Sequence, residues 1–425
     1  MIVFLLIYIA LVLIRPQDYP GMANLGIPVL PLALLLAFGV WVIERQHKSF
    51  NSPTFILFAA FTLVAMVSVA VNGWVGGALV RLTEFLPMLI AFVLVAQAAQ
   101  SPRNVLRIMA TFVLCSLVLV VHGIEQVELG AGWTGMPTVQ DGRIQYVGIF
   151  SDPNDLAMLF VMSIPMALLL SAGGGLLGLR RLWWWLAVAL MLYGVYLTDS
   201  RGALLAVMAM LGVWIWRRRG VVTAGLLGAG GLAVLMMLPT RMQELDASEA
   251  SAYGRIDAWY EGTQMFIANP LFGVGVGNFT EHNYLTAHNS FVLVLAETGI
   301  IGFTIWLALV GYPLLMTLAV IRHRPELPDA RSASLWRGER AAATTLLISM
   351  VGFFACAFFL SRSYVIILYL LLGLITGWYM GAQQRWPGLP VFRLQDDLVR
   401  WGMIALGSAV ALWLVVKVLL MMAWS

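Results

Sequence analysis

Apolar residues run along this chain in long blocks, and the polar residues collect in the gaps between them. The blocks cover about 2–14, 27–43, 53–71, 84–98, 105–122, 154–171, 182–198, 202–216, 220–238, 289–321, 341–360, 363–381 and 401–421. A bilayer-spanning helix needs about 17–25 residues, so all but the short first block approach or reach spanning length. The pattern predicts an all-α, polytopic transmembrane bundle of 12 or 13 helices. Two of the polar gaps, Gly123–Asp152 and Pro239–Ala287, are too long for simple turns, and long loops on a rigid scaffold tend to carry function. Within the second gap the stretch 253–267 places Ile256, Tyr260, Thr263 and Ile267 on one helical face and Asp257, Glu261 and Gln264 on another. This is the signature of an amphipathic helix at the membrane interface. Asn269-Pro270 ends it.

Composition agrees: 61% of the residues are hydrophobic, 11% are charged, and the mean hydropathy is +0.89. Charge then orients the bundle. If Glu44–Lys48 is cytoplasmic, alternation places Arg180-Arg181, Arg217–Arg219, Arg322–Arg340 and Arg385–Arg400 on the same side. Counted in this way, 17 of the 25 Lys and Arg but 6 of the 21 acidic residues lie inside, as the positive-inside rule requires. The net charge of +4 reflects this sidedness and gives no reason to expect nucleic acid. The N-terminal block lacks a basic lead and a small-residue cleavage site, so it is expected to remain as the first helix. Cys115 and Cys356 both fall inside predicted spans, away from any disulfide framework or thiolate metal site. No inverted repeat of the transporter kind is visible.

Against this orientation Arg201 stands out. It occupies the outer mouth of a span, at the positive start of a helix, where both sidedness and the helix dipole disfavour a cation. An anion is expected beside it. Arg15, Arg81, Arg143, Arg255 and Arg362 are further cations on that side, and His288-Asn289-Ser290 opens a long apolar block at the same boundary. His288 is read either as a helix-start neighbour of a capping Asn289 or Ser290, or as a proton acceptor near neutral pH. Glu297, about two turns deeper, is an ionisable group within the bilayer, and is either functional or paired with a neighbouring helix. Asp152 followed by Pro153 reads as an N-cap with proline at the first helical position. Gly273-Val-Gly-Val-Gly-Asn278 has neither the spacing nor the strand–helix setting of a nucleotide loop, and is read as a tight turn. His282 and His288 with Glu281 lack metal-ligand spacing; no metal and no cofactor is expected. Arginine forks can instead offset the charge of a departing pyrophosphate, and a long isoprenoid tail would need a groove open to lipid.

Taken in order, Asp152-Pro-Asn-Asp-Leu-Ala157, Asp199-Ser-Arg-Gly202, Gly254-Arg255 with Trp259, Asn269–Asn278, His288-Asn-Ser-Phe291, and Glu297-Thr-Gly299 with Gly302 resemble the O-antigen ligase and O-antigen polymerase superfamily over roughly residues 145–380. The resemblance implies a metal-independent, inverting membrane glycosyltransferase at the outer face of the bacterial inner membrane, with an undecaprenyl-diphosphate-linked glycan as donor. A lipid A–core or another glycan would be the acceptor, with membrane lipids around it. It implies that Arg201 and Arg255 engage the diphosphate and that His288 activates or orients the acceptor hydroxyl, with Asn154, Asn289, Glu297 and Arg362 as supporting candidates. The implied division is N-terminal transmembrane helices 1–144, a catalytic core 145–381 including a periplasmic loop 239–287, and a cytoplasmic segment with a last helix, 382–425. A ligase, a polymerase and a transporter remain open; the shared motifs bear on the donor and do not separate the first two.

Overall fold

A computed structural model describes residues 1–23, 26–45, 48–173, 178–237 and 245–423; the start of the predicted second loop, 239–244, lies outside them. Among the described residues the regular structure is helical, apart from two isolated bridges, Ala131–Pro137 and Val139–Arg143. Helices α1 (Ile2–Ile14), α2 (Pro20–Ala23), α3 (Val29–Ile43), α4 (Pro53–Val71), α5 (Val75–Ala98) and α6 (Pro102–Leu129) lead into an irregular segment, 130–152. After it come α7 (Pro153–Leu170), α8 (Leu179–Leu197), α9 (Arg201–Arg219), α10 (Val221–Met237), α11 (Leu245–Ala268) and the single turn α12 (Phe279–His282). The chain closes with α13 (Ser290–Arg322), α14 (Ala330–Ala357), α15 (Ile366–Arg385) and α16 (Leu394–Ala423). Each apolar block falls on a helix, although α5, α14 and α16 begin well ahead of their blocks and α6 ends well beyond its block. By length and composition eight of them, α4–α7 and α13–α16, suffice to cross a membrane. By the same measure α3 and α10 are shorter apolar helices, and α8 and α9 carry arginines near their ends.

Without water to drive helices together, apolar spans associate through close packing, which small residues permit. The α5–α15 seam shows how. Gly373, Gly377 and Gly381, one turn apart, lie against the backbone of Phe92, Ala96 and Gln100, with no space for a Cβ at any of the three. Phe58 of α4 stacks on Tyr369 of α15 at 4.1 Å between ring centres. Peripheral helices are attached more lightly: α10 packs on α9, and α16 meets α13 and α11, where the Lys417 ammonium lies 5.2 Å from the ring centre of Tyr260.

The longest helix is broken. At Gly299, with φ 61° and ψ −165°, α13 leaves helical geometry. The carbonyls of Ala296 and Glu297, which an unbroken helix would offer to residues 300 and 301, accept instead from Val274 N at 2.9 Å and Gly275 N at 3.0 Å. In exchange, Ile300 N donates to Pro270 O at 2.8 Å and Ile301 N to Leu271 O at 3.4 Å. The glycine turn is therefore an inserted loop that completes the backbone hydrogen bonding of a split helix, which is how irregular backbone is tolerated inside a membrane bundle. Asn72 Nδ2 donates to Gly273 O at 2.9 Å and Val276 N to Ser68 Oγ at 3.2 Å, fastening the loop to the end of α4. A Cβ on Gly273 would strike the Ala296–Glu297 backbone, and one on Gly299 the backbone of Leu271 and Phe272.

Gly299→Ala combines a forbidden φ with that collision, and is expected to destabilise the protein by more than about 1 kcal/mol. Gly407→Ala, at a helix position open to space, serves as the control. Melting curves in detergent check this, and equal melting temperatures for the two variants would contradict the role given to the break.

Candidate functional site

The starts of α7, α9 and α13, the end of α8 and the α14–α15 connection meet at one end of the bundle. Each start is built by ordinary capping. Asp152 caps α7, its Oδ1 accepting from Asn154 N at 2.7 Å, and Pro153 follows. Ser200 caps α9 through Ala203 N at 3.3 Å. Asn289 caps α13, accepting from Phe291 N at 2.9 Å and Val292 N at 3.1 Å. Two residues ahead of helix starts, Asp199 (φ 44°) and His288 (φ 47°), adopt the left-handed conformation. Such positions cost of order 1 kcal/mol or more in non-glycine residues, and they cluster at functional sites. In both cases the reversal sets the following residues at the site.

Cross-links then join the helix starts. Asn154 Oδ1 accepts from Ser200 Oγ at 2.7 Å and from Arg143 Nη2 at 3.2 Å, while Arg143 Nε donates to Thr198 O at 2.8 Å. Arg143, for which the sequence offered no local argument, thus ties segment 130–152 to the α8–α9 turn just ahead of Arg201. Arg362 makes a two-pronged ion pair with Asp155 through Nε and Nη2, and Asp155 is only 4% exposed. Ser290 Oγ donates to Leu360 O at 2.7 Å and accepts from Arg362 N at 2.9 Å, and Ser363 Oγ donates to Ser290 O at 2.8 Å. The connection 358–365 is thereby clamped to the start of α13, one residue beyond Asn289 and two beyond His288.

Arg255, on the half of α11 nearest the site, is half-buried, and burial followed by the neighbouring Arg201 guanidinium holds it below its ordinary value. His288 is likewise held below 6.5, first by burial, then by Arg255 and more weakly by Arg362, against an opposing pull from Asp152. Arg201, Arg255, Arg362 and His288 therefore share one electrostatic neighbourhood. Asp152 acts on Arg255 and His288, Asp155 is engaged by Arg362, and Asp199 lies two residues ahead of Arg201. The arrangement suits a multiply charged anion at the arginines with a neutral imidazole alongside.

Glu297 lies deeper, at the broken turn of α13. It is buried, and its Oε1 accepts from Phe279 N at 3.2 Å. Its partners include the first residue of α12, just past the inserted loop, and Tyr364 of the α14–α15 connection; the sequence left open a functional role or a pairing with a neighbouring helix. The stripe that α11 buries also differs from the predicted one. Ala258, Trp259, Gly262, Thr263 and Met265 are buried while Ile267 is 55% exposed, because the contact with Val292 and Phe279 leaves no room for more than a glycine at 262. Asp155 is the site residue the sequence did not single out. An acid in the first turn of a helix is ordinary, and its partner lies 207 positions away.

Fold and site together define a multi-pass membrane protein with an arginine-rich, histidine-bearing site at one end of its bundle. Residues 186–307, from within α8 to the middle of α13, match the family described as O-Antigen ligase, a match that supports the resemblance to the O-antigen ligase superfamily over that part of the chain. The matched segment contains Arg201, Arg255, His288, Asn289 and Glu297; Asn154 and Arg362 flank it. No curated protein matches the chain.

The charges around His288 can be tested by ring titration. Asp152→Asn keeps a good N-cap and removes a carboxylate that favours protonation of His288, so the ring is expected to titrate at lower pH. Arg255→Gln should move it upward, toward 6.5. Because the folded value lies below the unfolded one, the unfolded chain binds the extra proton as pH falls through about 6.5, and wild-type stability should drop there. NMR of labelled histidine in micelles reads all three; no shift in either variant would place these charges away from the ring.

Proposed function

We propose that this protein is a metal-independent, inverting glycosyltransferase of the ligase type. It moves a glycan from undecaprenyl diphosphate onto an acceptor hydroxyl at the periplasmic face of the bacterial inner membrane. Residues 145–381 form its catalytic core on the row of helices 1–144, and 382–425 form a cytoplasmic segment with a last helix. The observation that carries this reading is the meeting of Arg201 and Arg255 beside a half-buried His288, whose protonation burial and Arg255 disfavour.

In the proposed step the acceptor oxygen attacks the anomeric carbon as the bond from that carbon to the diphosphate oxygen breaks. The acceptor proton passes to His288, and the negative charge gathering on the diphosphate is met by Arg201 and Arg255 with bidentate geometry. Burial and the adjacent guanidiniums favour neutral imidazole, the form a base requires. Asn154 supports Arg201 through Ser200, Asn289 sets the start of α13, Arg362 fixes the α14–α15 connection through Asp155, and Glu297 keeps the inserted loop in place. These four are positioning residues in this reading. The acceptor is a lipid A–core or related surface glycan, and the site needs no cofactor.

Arg201→Lys is expected to be nearly inactive while folded, because charge persists but the fork is lost; normal transfer by a well-expressed Lys variant would remove Arg201 from the site. For His288→Ala a loss of about 10²–10⁴-fold is expected, with donor binding kept and the acid limb of the pH profile, lying below 6.5 in the wild type, abolished. A variant with wild-type rate and an unchanged acid limb would end the proton-acceptor role. Product size after incubation with purified lipid-linked donor identifies the reaction. A ligase moves glycan onto the acceptor without lengthening lipid-linked chains, a polymerase lengthens them, and a transporter changes neither.

A further inference from the structure

The opposite end of the bundle carries a second concentration of positive charge that the proposed reaction does not use. A cavity of about 540 Å³ opens where α13 ends and α14 begins, with Arg322, His323, Arg324 and Arg340 on its polar side. Leu327, Ile321 and Trp336 supply an apolar side. Arg217, at the end of α9, stands within electrostatic reach of Arg340 and donates to Thr344 Oγ1 at 3.3 Å. Among the described residues no carboxylate lines the cavity. The nearest along the helix, Glu339, is taken up by Arg385 Nε at 2.7 Å and by Trp378 Nε1 at 2.9 Å. Three exposed guanidiniums thus line one cavity, with Glu326 and Asp329 in the same connection but not among its lining, an arrangement that suits an anionic ligand.

The level of the cavity says which anion. Trp336 meets the His323 ring edge-on at 5.6 Å and Trp386 at 5.0 Å between centres. Tryptophans at the ends of apolar helices mark the boundary between hydrocarbon and headgroups. Arg322 is the last residue of α13, so the cations sit just beyond that boundary, where phosphodiesters of the bilayer lie. Guanidinium forks match the two free oxygens of a phosphodiester, and the apolar wall of Leu327 and Ile321 suits the glycerol and first methylenes below it. Basic pockets between helices on the cytoplasmic side are established lipid headgroup sites.

We propose that this cavity is a binding site for the headgroup of an anionic glycerophospholipid, held by Arg322, Arg324 and Arg340. The site anchors the α13–α14 end of the bundle to the membrane. It is independent of the glycosyltransferase reading and of His288.

The test uses the purified full chain in detergent, with retained lipid counted by native mass spectrometry and melting followed in parallel. Phosphatidylglycerol is expected to stay bound and to raise the melting temperature, whereas phosphatidylcholine with the same chains does neither. Replacing Arg322, Arg324 and Arg340 together by Gln should weaken phosphatidylglycerol binding about 100-fold, some five-fold for each guanidinium. Arg324→Gln alone, on an exposed connection, should give about the single five-fold loss and covers the case in which the triple variant fails to fold. Arg180→Gln with Arg181→Gln removes two charges assigned to the same side but outside the cavity, and should leave binding intact. Equal retention of both lipids, or equal loss in the Arg180 and Arg181 variant, would overturn the proposal. So would protection by inorganic phosphate as strong as that by phosphatidylglycerol at equal concentration, which would make the cavity a soluble-anion site.

Discussion

A helix buried among apolar neighbours must satisfy its own backbone, and α13 fails to do so at Gly299. The remedy, an exchange of four backbone hydrogen bonds with the loop 270–275, fixes much that follows. It draws the end of α11 against the middle of α13, and the Phe279 amide reaches the Glu297 carboxylate. Through Asn72 and Ser68 it also ties the same loop to α4. The half of α13 that begins at His288-Asn289 is thus held from below by the inserted loop and from above by the Ser290 bonds to residues 360–363. Arg255 and His288 lie on the two elements that this exchange joins, which makes their proximity a property of the break.

The sequence revealed the helices almost completely, since apolar blocks of spanning length have few alternatives to helix. Local grammar was legible too: the caps at Asp152 and Asn289 and the stop at Asn269-Pro270 depend on neighbours within a few positions. Long-range pairing was not. Nothing near Asp155 distinguishes it from any acid in a first turn, and Arg362 reads as a solvated cation until the fold sets them together. The buried stripe of α11 escaped for a different reason. Periodicity weights large apolar side chains such as Ile256 and Ile267, whereas close approach to α13 selects Gly262 and Ala258. In a membrane bundle small residues mark the contact face as faithfully as large ones do.

The two ends of the molecule use arginine differently. At the site end Arg201 stands at a helix start, where the dipole adds to the repulsion between it and Arg255, and an anionic group would relieve both at once. At the far end they follow helix C-termini, as at Arg217–Arg219 and Arg322, where the dipole stabilises them. On the two proposals the first set would meet a charge that comes and goes, the second one that stays.

The Gly373–Gly377–Gly381 seam leaves α5 and α15 in backbone contact, and two helices locked in this way have no side chains whose rotation could let them slide. Any breathing of the bundle must be borne elsewhere, and the lightly held neighbours α10 and α16 are the elements with freedom to bear it. The bundle is in this sense a vise with one fixed jaw. Shape changes would be concentrated at α10 and α16, while the α5–α15 side serves as the reference frame against which they are made.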